Sequence, residues 1–141
     1  MYASLSDMFV YFRADELAQR AAPEHPEVTG STLLDALNYP SSYMEDDPDI
    51  VALNRIKRAL EDATAMMDSY LVQRYTLPVV SEALRRPCAE LARCRLFTEG
   101  MSDAQRTGCE DIKGWLHSIT LGNLSLPSND DGRRTVPIMR V

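Results

Sequence analysis

The sequence predicts an all-α fold: a small helical bundle around one long central helix, with an extended C-terminal tail. Three observations predict it. Between Pro48 and Pro78, apolar residues recur at helical spacing over about four turns. Shorter apolar runs on either side open on Ser or Asp and close on Pro or Gly. Beyond Gly122, Pro127, an Asn-Asp-Asp-Gly turn signal and Pro137 prevent a continuous helix.

The central element carries Ile56, Ala59, Leu60, Ala63, Met67, Tyr70 and Leu71, at steps of three, one, three, four, three and one, on a single stripe. Asp47 is placed to cap the first turn. Pro48 suits the first helical position, and Asp49 adds negative charge at the positive end of the dipole. Pro78 pushes Leu77 out of the α region, so the helix is expected to stop near Arg74 and to leave extended through Tyr75, Thr76 and Leu77. About 26 helical residues would make a rod of about 39 Å.

Before it, Leu5, Met8, Phe9 and Phe12 share a face after Ser4 or Ser6, and Leu17, Ala18 and Ala21 continue a stripe that Pro23 and Pro26 end. Residues 24–47 read as a peripheral, mobile loop with a brief helical run at Thr32 to Leu37. After Pro78, Ser81 is a cap for a helix through Thr98, closed by Gly100, that buries Leu84, Cys88, Leu91, Ala92 and Leu96. Pro87 requires either a separate first turn with the main helix starting at Arg86, or a kink. The last helix is expected from Ser102 to Leu121, with Ile112, Trp115, Leu116 and Ile119 inward and Gly122 closing it. Gly108 and Gly114 either weaken this helix or let a neighbour come close. The organisation is therefore a helical domain over residues 1–122 and an arm over 123–141, whose Val136, Ile138, Met139 and Arg140 are candidates for contact with another subunit.

A chain of 141 residues builds one domain. Its apolar runs fall short of the roughly 18 residues of a membrane span, and the N-terminus lacks a basic segment and carries Asp7, so neither a membrane nor a signal peptide is expected. The cytoplasm in which it is made is the expected compartment. Cys88, Cys94 and Cys109 show no CxxC spacing and read as buried free thiols rather than disulfides or zinc ligands. The net charge of −6 is uneven: residues 1–50 hold ten acids against two bases. Such a chain gains little from counterion release on a phosphate backbone.

The motifs of catalysis are missing. The sequence contains no phosphate loop, HExxH or GxSxG, and His117 reads as an edge-of-core imidazole. Glu45, Asp46, Asp47 and Asp49 lack the alternation and glycine of a calcium loop and read as a solvated helix start. Met66, Met67 and Tyr70 read as core, and Arg74 is spaced to lie across the Tyr70 ring. Neither an enzyme nor a cofactor is indicated.

The run Ala59-Leu60-Glu61-Asp62-Ala63, then Asp68-Ser69-Tyr70-Leu71, then Arg74-Tyr75-Thr76-Leu77-Pro78, resembles the Mu-like prophage head-tail joining (connector, or adaptor) protein family. Tyr2-Ala3 with Asp7, Leu91-Ala92 with Leu96, and Trp115-Leu116 with Ile119 and Gly122 agree in order, so the resemblance covers roughly residues 1–126. It implies a structural virion component, not an enzyme. Such a subunit forms a ring with copies of itself, commonly of about twelve, beneath the portal protein. The ring extends the DNA channel without specific DNA binding and seats tail-joining proteins. The competing reading is a small helical DNA- or protein-binding regulator of a prophage, whose nearest candidate contacts are Arg85, Arg86, Arg93 and Arg95.

Overall fold

The computed structural model describes residues 1–97 and 101–126. They form six α-helices: α1 (Leu5–Tyr11), α2 (Ala14–Ala21), α3 (Gly30–Asn38), α4 (Pro48–Leu71), α5 (Arg85–Leu96) and α6 (Asp103–Thr120). Short 3-10 turns at Pro40–Ser42 and Glu82–Leu84 precede α4 and α5. The fold class is all-α, as the sequence indicates.

The stripe on α4 organises the packing. Ile56, Leu60, Ala63, Met67 and Leu71 are wholly buried, Ala59 nearly so, and Tyr70 partly. All five other α-helices touch α4, and α5 lies most extensively along it. Its 24 residues make a rod of about 36 Å. It ends at Leu71 rather than near Arg74. The amides of Arg74 and Tyr75 both reach back to the Leu71 carbonyl, at 3.0 and 2.7 Å, in a closing turn. Asp47 stands at the N-cap, yet its side chain does not cap α4: its carboxylate accepts from the Met44 amide at 2.9 Å.

Two helix starts follow the expected chemistry. Ser4 and Asp7 form a capping box on α1, as do Ser102 and Gln105 on α6, each satisfying two otherwise orphaned amides. Pro87 is resolved by a separate 3-10 turn. Ser81 accepts from Ala83 in that turn, and α5 then begins at Arg85, which makes Pro87 its third residue, where no intrahelical hydrogen bond is lost. The expected end at Thr98 and Gly100 lies outside the described residues.

The peripheral reading of residues 24–47 is corrected. Val28, Leu33 and Ala36 belong to the core, and α3 packs on α2 and α4. Thr29 caps α3, and Asp15 of α2 accepts from the Gly30 amide at 2.9 Å. A Cβ on Gly30 would fall 2.5 Å from that carboxylate and 2.8 Å from the Asp15 amide, so the glycine permits the α2–α3 approach. By contrast, a Cβ at Gly108 or Gly114 meets no atom within 4 Å, so these two glycines weaken α6 without serving a close helix approach.

The cysteines depart from expectation as well. Cys94 and Cys109 form a disulfide between α5 and α6, with Cα atoms 6.3 Å apart, and Cys88 alone remains a buried free thiol. The reason is topological: α5 and α6 are joined by a short connection, so a position near the end of the first faces one near the start of the second. Burial pushes the Cys88 thiol up in pKa, against a smaller lowering from Thr64 at 3.6 Å, which leaves it a poor nucleophile.

Thiol titration of the denatured, unreduced chain is therefore expected to find one thiol per molecule, and reduction to release the other two. Reduction of the folded protein is expected to lower its unfolding free energy by about 3 kcal/mol, the scale for a loop of this length. Three thiols before reduction would exclude the crosslink.

Candidate functional site

The signature residues of the central stretch do not converge on a reaction centre. They sort into a joint at one end of the bundle, a latch on the N-terminus and one residue in a separate cleft.

The joint lies where α4 ends, α6 ends and the chain departs toward its C-terminus. Arg74 Nη1 donates to the Ile119 carbonyl at 3.2 Å and to the Leu124 carbonyl at 2.9 Å, and Nη2 to Ser125 Oγ at 3.2 Å. Its guanidinium lies 5.7 Å from the centre of the Tyr75 ring, not over Tyr70 as the spacing suggested. Tyr75 is buried, and its hydroxyl accepts from the Leu126 amide at 3.1 Å. Thr120 Oγ1 donates to the Tyr70 carbonyl at 3.3 Å, closing the α4–α6 contact from the other helix. Leu71 is buried beneath.

Gly122 completes the joint. Its amide donates to Ile119 and that of Asn123 to Ser118, both at 3.0 Å, the paired bonds of a Schellman closure. This closure requires a left-handed residue, and Gly122 has φ +82°. An added Cβ would also lie 3.3 Å from Arg74 Nη1. The rigid fork of one arginine thus holds carbonyls on both sides of the glycine and fixes the direction in which residues 124–126 leave. The arm candidates Val136, Ile138, Met139 and Arg140 lie outside the described residues.

The latch joins the N-terminus to α4. The Tyr2 hydroxyl donates to Asp68, and the Tyr2 amide meets Thr64 Oγ1 at 3.4 Å. Burial, then donation to Asp68, pushes the Tyr2 phenol well above its ordinary pKa. Pro78, after a cis Leu77–Pro78 peptide, lines the same recess with Val79 and Arg85. Of the other signature residues, Ala63 is core, Leu77 is partly exposed, and Asp62 lies far from the joint in a cleft among arginines.

The described residues bring no nucleophile and base together. His117 is exposed rather than at the edge of the core, and His25 pairs at the surface with Glu27 at 2.9 Å. Among these residues no group of three or more His, Cys, Asp or Glu side chains gathers as metal ligands, and no helix is long and apolar enough to cross a membrane.

Comparison with known proteins bears on this arrangement. The family described as Bacteriophage Mu, Gp36 matches residues 2–137, which include the joint, the latch and the first part of the arm, up to Pro137. The chain belongs to that family. A Mu-like prophage FluMu protein gp36 from Haemophilus influenzae is 38% identical over 79 residues, covering 55% of this chain and 56% of the relative. The match thus spans little more than half of that relative's length. The protein is a Mu-like phage protein, as its resemblance implied. Sequence reasoning singled out Arg74, Tyr75 and Gly122 but missed Ser125 and Leu126 as partners of the first two, and Thr120 as the partner of Tyr70, because these residues carry no local signal of the contact.

Arg74→Ala is expected to destabilise the fold by about 1–3 kcal/mol by removing the charged donor that ties the Ile119 and Leu124 carbonyls together, and to abolish hydrogen-exchange protection of the Leu126 amide. Arg74→Lys should not restore that protection, since an ammonium lacks the planar fork; unchanged protection in both variants would remove the joint's role. A second expectation concerns pH. A phenol favoured in its neutral form by the fold contributes stability that is present below about pH 10 and is lost as pH rises above it. Tyr2→Phe should therefore cost about 1–2 kcal/mol at neutral pH, with the gap to the natural chain narrowing above about pH 10 in denaturant titrations.

Proposed function

We propose that this protein is a structural head-tail connector (adaptor) subunit of a Mu-like phage or prophage. Copies form a ring beneath the portal that extends the DNA channel, and the C-terminal arm reaches a neighbouring subunit. The observation that carries this reading is the joint: the signature residues Arg74, Tyr75 and Gly122 are spent on fixing how the chain leaves a rigid bundle. A connector requires such an exit, because an arm binds a neighbour usefully only when its root is held in register. Family membership and the 38% identical prophage relative support a phage protein of this type. In this reading the protein has no catalytic role, resides in the virion, and occupies host cytoplasm during assembly.

The regulator alternative has less support. Arg85 is held by Glu82, Arg86 by Glu90 and Arg93 by Glu16, so three of the four arginines expected of a recognition helix are engaged within the fold.

Light scattering of the purified protein, alone and mixed with the portal ring encoded beside it, tests the proposal. The expected result is stoichiometric attachment to the portal or a closed ring formed alone. A monomer or dimer that ignores the portal would overturn it.

A further inference from the structure

Among the described residues, four carboxylates on one face and two arginines on another have no ion-pair partner. The first is an acidic corner at the start of α4. Glu45 and Asp46 are exposed, Asp47 and Asp49 half-buried, and among the described residues none of the four lies within ion-pair distance of a base. One carboxylate oxygen of Asp49 is buried with no hydrogen-bond donor. Asp35 adds to the corner, accepting from the Tyr43 hydroxyl at 2.6 Å. That bond first, then desolvation and the fields of Asp35, Asp49 and Asp47, push the Tyr43 phenol up to about 12. The corner therefore carries a concentrated negative field.

The second set lines an open cleft of about 480 Å³ between α2, α4 and α5. Arg20, Arg55, Arg58 and Arg95 contribute to its wall, with Glu24 and Asp62 at the same surface. Arg55 is engaged, donating to the Ala21 carbonyl and pairing with Glu24, both at 2.7 Å. Arg58 and Arg95 are exposed, and among the described residues no carboxylate, Asp62 included, lies within ion-pair distance of either. Two guanidinium forks thus point into a cleft without a bound acid.

The two sets cannot neutralise each other within one molecule. Asp49 and Arg58 are nine residues apart on α4, about two and a half turns, so they leave the helix on opposite sides. The corner and the cleft are therefore different faces of the described fold.

We propose that the acidic corner of one copy, Glu45 to Asp49, seats in the arginine cleft of the next, with Arg58 and Arg95 as its principal partners. Arginine forks match carboxylates in paired, directional hydrogen bonds. Corner and cleft being distinct patches, the contact is head-to-tail, the type that closes into a ring when the rotation per copy allows. A second copy fits better than nucleic acid. The corner is a short segment whose carboxylates two arginine forks can match, whereas a phosphate backbone would present a long run of negative charge to a chain of net charge −6. This inference deepens the connector reading by naming the contact between neighbours, and rests on it.

The test is light scattering and sedimentation of the full chain at high protein concentration, in low and in high salt. The natural chain is expected to self-associate in low salt and to dissociate in high salt. The double variant Arg58→Glu, Arg95→Glu and the double variant Glu45→Lys, Asp46→Lys should each weaken association about tenfold or more. An equimolar mixture of the two should regain it, since each then offers the charge that the other needs. This recovery also shows that both variants fold; Arg58→Gln, Arg95→Gln is the milder substitute if the reversal does not.

Absence of association in low salt, indifference to the reversals, or failure of the mixture would each overturn the contact. So would a low-salt duplex DNA shift abolished by the arginine reversal, which would assign the cleft to nucleic acid. Portal attachment separates the two readings. Attachment without self-association sinks the contact and keeps the connector, whereas salt-sensitive self-association into open chains that neither close nor attach to the portal keeps the contact and sinks the connector.

Discussion

Burial of one stripe on α4 is the constraint on which the rest of this structure depends. A helix of 24 residues with a continuous apolar face cannot exist alone in water, and each surrounding helix is short enough to need a surface to rest on. The arrangement is mutual: α1, α2, α3, α5 and α6 cover the stripe, and the stripe supplies their partners. Small residues set the distances. Ala52, Ala59 and Ala63 on α4 and Ala89 and Ala92 on α5 are nearly or wholly buried, which brings these two backbones close enough for their larger side chains to interdigitate.

A bundle held this way has two weak places, its ends, where helix carbonyls lose their partners. At the end of α6 the solution is a glycine closure reinforced by Arg74 from the neighbouring helix. The Ile119 carbonyl accepts from both the Gly122 amide and Arg74, using both of its lone pairs. One side chain thereby terminates a helix, locks two helices together and directs the exit of the chain. The disulfide from Cys94 to Cys109 secures the other end of the same helix against α5. Both ends of α6 are thus tied to the frame that α4 supports.

Charge is distributed by a different logic from packing. Arginines of α5 are spent locally on acids of α1 and α2, on Glu90, and on aromatic faces, as when Arg93 stacks 4.8 Å from the Phe12 ring. Arg20 similarly lies 4.2 Å from the Phe97 ring. These contacts bind short helices to the bundle where little apolar area is available. Among the described residues, the acidic corner at the start of α4 and the exposed Arg58 and Arg95 take no part in this internal pairing.

Much of the fold was legible in the sequence, because it rests on short-range rules. The α4 stripe follows from 3.6-residue periodicity, the caps at Ser4 and Ser102 from side chains that reach amides three residues away, and the left-handed Gly122 from the absence of a Cβ. What was misread involves partners distant in the chain. Asp47 looks like a cap until the preceding turn claims its carboxylate, and residues 24–47 look peripheral until Val28, Leu33 and Ala36 are seen in the core. Cys94 and Cys109 look like free thiols until a helix reversal brings them face to face. The sequence by itself determined the long central helix, its buried stripe and the capped starts of α1 and α6, because local geometry and hydrophobicity act residue by residue. Only the tertiary structure decided that Arg74, Tyr75 and Gly122 form one joint with the departing chain, and that Arg58 and Arg95 share one cleft, because those contacts depend on where α5 and α6 come to rest against α4.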